Sequence, residues 1–181
     1  MKELALHLLD IAENGVAAGA KRIIISVTVN EQKDRLFLSV EDNGKGMSPE
    51  MVSQVIDPFV TSRTTRKVGL GIPLLKAAAE ACDGGLTIQS RIGQGTVVKV
   101  EFRLHHIDRM PLGDLTATCL NLLIGYPDIH WIFRVTYNKE HFEFDDAIIK
   151  KELETIPLSD PAVIGYLREA LEDGFSDLKN I

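Results

Sequence analysis

The sequence predicts an α+β protein in which helices pack on one face of a mixed, largely antiparallel sheet. Two patterns carry this. Segments with apolar residues at alternating positions come in pairs across polar turns, and segments with helical spacing lie before and between those pairs rather than after every strand. Composition adds a third observation: 181 residues, 45% hydrophobic and 25% charged, suffice for one full core and a small appended module. The same figures exclude a disordered chain, a collagen-like repeat and a disulfide scaffold.

Residues 3–14 place Leu4, Leu8, Ile11 and Ala12 on one helical face, and Gly15 and Gly19 are expected to loosen and end this helix. Residues 22–29 alternate through Ile23, Ile25, Val27 and Val29; residues 36–41 follow across a polar turn, which reads as a β-hairpin. Ser48 is an N-cap with Pro49 at the first helical position, opening a short helix to about Ile56. Pro73 is expected to start another helix, stopped by Asp83-Gly84-Gly85, before strands at 86–90 and 96–104.

The pattern changes after Leu104, where His105, His106 and a turn-like stretch read as a linker. The expected division is therefore 1–106 and a C-terminal α/β extension over 107–181. That extension reads as a helix over 115–124, a hairpin turning at Asn138-Lys139, and a last helix from Asp160-Pro161 to near Gly174. Its Trp131, Phe133, Tyr137, Phe142 and Phe144 are expected to pack on the first part, with a partner-facing hairpin as the alternative.

Twenty Lys and Arg against twenty-six Asp and Glu give a net charge of −6, a field that repels nucleic acid and anionic membrane. No apolar run reaches the ~20 residues of a membrane span, and acids appear too early for a secretory signal. The expectation is a soluble, cytoplasmic protein with neither nucleic acid nor membrane as partner. Cys82 and Cys119 form no C-x-x-C, and His105, His106, His130 and His141 show no metal spacing. One stretch departs from the acidic balance: Phe59 to Leu75 contains no acid and carries Arg63, Arg66 and Lys67, a local basic patch suited to a polyanion.

Three G-x-G pairs occur, at Gly44/Gly46, Gly69/Gly71 and Gly93/Gly95. None completes a dinucleotide-binding or P-loop fingerprint, and each alone is explained by a turn. Together they predict backbone passing close to a ligand where no Cβ fits.

Four ordered motifs give these glycines a common setting: Glu41-Asp42-Asn43-Gly44-Lys45-Gly46-Met47, then Asp57-Pro58-Phe59, then Gly69-Leu70-Gly71-Ile72, then Gly93-Gln94-Gly95-Thr96. In order and spacing they resemble the ATP-binding boxes of the GHKL superfamily, which includes gyrase B, heat-shock protein 90, the mismatch-repair ATPases and the histidine kinases. The resemblance covers roughly residues 3–104 and is strongest to a histidine-kinase catalytic domain from Pro58 to Thr96, while ENGVAAGAKRI is similar to the mismatch-repair N-terminal box. It implies a Bergerat-type two-layer α/β sandwich, with ATP and Mg2+ as cofactors.

The resemblance implies that Asp42 accepts from the adenine amino group and that Thr96 completes the adenine contact through its hydroxyl or a shared water. A solvated turn is the alternative for Asp42. Gly44, Gly46 and Met47 would line the nucleotide. Asp10 and Asn14, four residues apart, project from one helix face. Asn14 matches the family's metal-binding Asn, and a side-chain amide oxygen suits magnesium. The hydrolysing members carry a Glu at the position of Asp10; here the side chain is one methylene shorter, which leaves hydrolysis open. Glu13 is a backup base or a surface pair, and His7 supports Asp10 or is structural. Thr61, Arg63, Lys67, Gly69, Leu70 and Gly71 fall where the family carries its ATP lid, so their hydroxyl, cations and amides are expected to meet phosphate.

Only two residues precede the first helix, too few for an upstream phospho-accepting hairpin. The first expectation is therefore phosphotransfer to a protein partner in trans. A nucleotide sensor with little turnover and an ATP-driven dimerisation clamp are the alternatives, and a homodimer stays open.

Overall fold

The computed structural model describes residues 3–57, 71–179 and 181. In chain order the elements are α1 (Leu4–Ala17), β1 (Arg22–Asn30), β2 (Arg35–Asp42), α2 (Pro49–Ile56), α3 (Gly71–Ala81), β3 (Gly85–Arg91), β4 (Gly95–Arg103), α4 (Leu115–Gly125), β5 (His130–Tyr137), β6 (Glu140–Asp145), α5 (Asp146–Leu153) and α6 (Pro161–Gly174). The strands form one six-stranded sheet in the order β3-β4-β2-β1-β5-β6. Every neighbouring pair is antiparallel except β1 and β5, which run parallel with Ile23 beside Trp131 and Val27 beside Val135.

Strand alternation decides which face is covered. Ile23, Ile25, Val27 and Val29 of β1, Leu36, Leu38 and Val40 of β2, and Val98, Val100 and Phe102 of β4 are buried on one side. With them lie Leu4, Leu8 and Ile11 of α1, Leu75 and Ala79 of α3, and Leu122 and Leu123 of α4. On the other side Ser26, Thr28, Phe37, Ser39, Thr87 and Lys99 remain partly or fully exposed. The expected α+β sandwich is thus present. The C-terminal aromatics pack inward: Trp131 and Phe133 are fully buried, and Phe133 stacks on Phe144 with ring centroids 5.8 Å apart. The segment 107–181 therefore contributes two strands to the same sheet and part of the same core.

Three local expectations need correction. Gly15 does not loosen the first helix, which continues to Ala17. The stop comes at Gly19 (φ 77°), where Gly19 N–H donates to the Val16 carbonyl and Ala20 N–H to the Gly15 carbonyl, the paired bonds of a Schellman ending. Gly71 and Ile72 are already helical, so α3 includes residues before Pro73 rather than starting at it. The short α5 has no counterpart in the sequence reading; Asp145 caps it by accepting from Ala147 N–H at 2.9 Å. The Asn138 turn (φ 54°) is as expected.

A Cβ at Gly19 would meet nothing within 4 Å, so its only demand is the left-handed backbone. Gly19→Ala is expected to cost about 1 kcal/mol in chemical denaturation, with an unchanged denaturant slope.

Candidate functional site

A cavity of about 300 Å³ opens between α1, the β2–α2 loop, α2 and the first residues of β4. Asn14, Asp42, Gly46, Met47 and Thr96 line it, brought together from three separate sequence segments. Its apolar wall includes Ile11, Met51, Val55, Ile72 and Val98. This combination of an apolar slot and a few convergent polar groups is the composition of a small-molecule site.

Strand register places the polar end. Asp42 closes β2 opposite Ile23 on one side and Thr96 on the other, and Thr96 in turn pairs with Ser90. The row Asp42, Thr96, Ser90 therefore lies on the helix-covered face, at the edge where the helices leave room. Asp42 Oδ1 accepts from Gly44 N–H at 2.8 Å. Burial raises the Asp42 carboxyl pKa above the usual range, against the lowering effect of the Gly44 and Thr96 amides. The loop that follows is clipped on both sides. Asn43 Oδ1 accepts from Lys21 and Arg22 N–H, both at 2.8 Å; Lys45 N–H donates to the Ala18 carbonyl at 3.0 Å, and the Lys45 carbonyl accepts from Gly93 N–H at 2.8 Å.

The glycines have a different reason from the one expected. A Cβ on Gly46 (φ 67°) would overlap the Arg91 carbonyl, and one on Gly95 (φ 101°) the Asp42 carbonyl. Protein backbone, rather than a ligand, takes up the space at these two positions. At Gly44 a Cβ would come within 2.9 Å of both Ala18 Cβ and Asp42 Oδ1, so that residue shapes the Asp42 turn.

Other sequence-predicted residues sit apart from the cavity wall. Asp10, half-buried on α1 one turn before Asn14, is not among the lining residues. Glu13 is exposed and accepts from the Tyr126 hydroxyl at 3.1 Å, a surface pair between α1 and the end of α4. Gly71 is buried at the start of α3, next to the lining residue Ile72. His7 is buried in α1, where desolvation lowers its pKa and Nδ1 has no hydrogen-bond partner among the described residues. Thr61, Arg63, Lys67, Gly69 and Leu70, with Phe59 and Arg66, lie outside the described residues.

Sequence reasoning missed three contributors. Lys45 is a basic residue among those that line the cavity, and Ser90 holds Thr96 from behind. Gly15 lies inside a helix and lines the cavity, and the available signal was a helix-interior glycine without a helix end. A Cβ there would stand 3.0 Å from Asp42 Cβ and 3.4 Å from Asp42 Cγ. His130, Asp145 and Asp146 also come together, with one ligand atom of each within 4.8 Å of the others, but Lys150 Nζ at 2.6 Å from Asp146 Oδ2 already supplies the positive charge.

The family model described as "Histidine kinase-, DNA gyrase B-, and HSP90-like ATPase" matches residues 2–106. The chain belongs to this family. Its ATPase segment is 29% identical over 108 residues to a putative sensor histidine kinase NtrY-like of Rickettsia conorii, covering 60% of this chain and 18% of that protein. It is 36% identical over 115 residues to the cell-division control histidine kinase PdhS of Brucella ovis, covering 56% and 11%. Sporulation kinase C of Bacillus subtilis is 30% identical over 98 residues, covering 54% and 23%. The chain thus spans less than a quarter of the curated relatives it matches. In fold, the ADP-complexed MutL ATPase domain of Aquifex aeolicus is similar with a TM-score of 0.53 at 15% identity, covering 97% of this chain and 70% of that one. The N-terminal domain of a DNA repair protein gives 0.58 at 13% identity, covering 97% and 57%.

The clearance at Gly15 yields a prediction for this ATPase domain. Gly15→Ala improves helix propensity yet presses on Asp42, so the unfolding free energy should stay within about 1 kcal/mol of wild type while nucleotide affinity, measured by calorimetry, falls about three- to tenfold.

Proposed function

We propose that this domain binds Mg-ATP in the α1/β4 cavity and transfers the γ-phosphoryl group to a protein partner in trans. The observation that carries the nucleotide part is the convergence of Asn14, Asp42 and Thr96 on one cavity in a chain of this ATPase family. Adenine stacks in the apolar slot, its amino group donating to the Asp42 carboxylate while Thr96 flanks it. Gly46 and Met47 pass along the base, and Lys45 stands where it meets negative charge. The phosphates then leave toward Asn14 and toward the start of α3, which Gly71 opens; Thr61, Arg63, Lys67, Gly69 and Leu70 complete their cradle in this reading.

The donor set fits magnesium: the Asn14 amide is exposed at the cavity and offers the hard oxygen this ion takes, with phosphate oxygens completing the shell. When bound, the ion supplies charge neutralisation at the transferring phosphoryl group. Asp10, one turn back on the same helix, orients or deprotonates the attacking group.

Transfer to a partner is favoured because no histidine lines the cavity among the described residues and because the matched relatives are named histidine kinases. A second reading, a nucleotide sensor with little turnover, is favoured by Asp10 standing off the cavity wall and by Glu13 being engaged with Tyr126. No helix among the described residues is long and apolar enough to cross a membrane. The functional boundary falls near residue 106, where the family match ends, and residues 107–181 brace the ATPase segment.

Calorimetry with Mg-ATP, paired with phosphate release on the same protein, tests both readings. Asp42→Asn should weaken ATP binding about 10- to 100-fold, since a hydrogen bond to a charged group is lost. Because burial raises the Asp42 pKa, the folded state holds that proton more tightly than the unfolded state, and the ionised side chain opposes folding once the pH rises above that raised pKa. The variant should therefore melt no lower than wild type at pH 7. Wild-type affinity should decline as acid protonates Asp42, starting above the ordinary carboxylate range of about 4, and that step should vanish in Asp42→Asn. Asn14→Ala should abolish the magnesium dependence of binding with little change in metal-free affinity; a persistent magnesium effect places the ion elsewhere.

A further inference from the structure

No sequence motif marks Ser90, yet its hydroxyl stands at the centre of three hydrogen bonds. It lies 2.8 Å from Met47 N, 3.0 Å from the Gly95 carbonyl oxygen and 2.8 Å from Thr96 Oγ1. A serine hydroxyl has one proton and two acceptor lone pairs. The Gly95 carbonyl only accepts, so the Ser90 proton goes to it; otherwise two oxygens would face each other at 3.0 Å with no hydrogen between them. The Met47 amide only donates, which occupies one Ser90 lone pair. The remaining lone pair faces Thr96, and that contact requires a proton from Thr96.

The count fixes the direction of the Thr96 hydroxyl. Its proton points back to Ser90, and its free lone pairs are left for the occupant of the cavity that Thr96 lines. Next to it on the same row is the Asp42 carboxylate, which, ionised, also only accepts. A wall built from acceptors alone favours a base edge that donates. Adenine presents an exocyclic amine with two protons, one for Asp42 and one for Thr96, whereas a 6-oxopurine sets at that position a carbonyl oxygen that neither acceptor satisfies, its N1–H donor lying one ring position away.

We propose that Ser90 is a positioning residue for base specificity: by taking the Thr96 proton it locks Thr96 Oγ1 as an acceptor, so that the base end of the cavity selects a 6-aminopurine over a 6-oxopurine. This rests on the reading that the base lies against Asp42 and Thr96. Ser90 touches no ligand itself and acts through Thr96.

The test is the ratio of Mg-ATP to Mg-ITP affinity, by calorimetry, in wild type, Ser90→Ala, Ser90→Thr and Thr96→Val, each checked for folding by circular dichroism. Wild type should prefer ATP. In Ser90→Ala the Thr96 proton is free to turn toward a 6-oxo group, so ATP affinity should drop and ITP affinity hold or rise, narrowing the ratio about tenfold. Ser90→Thr keeps the hydroxyl and should keep the wild-type ratio. Thr96→Val removes the acceptor while preserving shape; it should weaken ATP without weakening ITP, and it carries the test should Ser90→Ala not fold. Merely structural damage would lower both affinities in proportion; a wild-type ratio in Ser90→Ala, or in Thr96→Val, overturns the assignment. Wild-type protein that binds neither nucleotide overturns the ATP-binding reading itself, and the Ser90 assignment with it.

Discussion

Two backbone crossings with no room for a side chain govern the shape of the site. At Gly46 the loop after β2 runs against the Arg91 carbonyl, and at Gly95 the start of β4 runs against the Asp42 carbonyl. Both residues have positive φ, which a residue with a Cβ adopts only at a cost, so conformation and clearance demand glycine together. The crossings bring the end of β2, the loop behind it and the β3–β4 turn into one layer. Ser90 then reaches both Met47 and Thr96, and the cavity floor is set before any ligand arrives.

Much of this was legible in the sequence. Alternation in residues 22–29 and 36–41, the Ser48-Pro49 cap and the Asn138 turn are short-range signals, and each element forms where local chemistry places it. The motifs around Asp42, Gly44 and Gly46 and around Gly95 and Thr96 were legible for the same reason, each being contiguous in sequence, and Asp42, Gly46 and Thr96 all line the cavity. What escaped was relational. Gly15 looked like a helix breaker because its purpose, clearance for Asp42, depends on a residue in β2. Ser90 looked like a strand residue because its partners come from the opposite strand and from a loop more than forty positions away. Helix α5 escaped because it is short and has little apolar content, and it is held by a cap and by the Lys150 contacts with Asp146 and the Ile129 carbonyl.

Sequence likeness and fold likeness cover different lengths of the chain. The family match ends at residue 106, while the likeness in fold to the MutL ATPase domain runs over 97% of the chain. Residues after 106 thus share an arrangement around the sheet while lying outside the family match. Packing explains the difference. Trp131, Phe133 and Phe144 need only be apolar and of suitable volume to fill their side of the core, whereas Asp42 and Thr96 need particular atoms.

The parallel pairing of β1 with β5 also sets an order of events in folding. Its partners are roughly a hundred residues apart in the chain, a long loop to close before any contact rewards it. During synthesis the hairpin of β1 and β2 is complete long before β5 leaves the ribosome, and until then β1 is an open edge of Ile23, Ile24, Ile25, Val27 and Val29. An ATPase segment cut at residue 106 would keep that edge permanently, with a row of unpaired backbone groups beside an apolar face. In the complete sheet β5 covers that edge, so the C-terminal hairpin leaves β1 no open side.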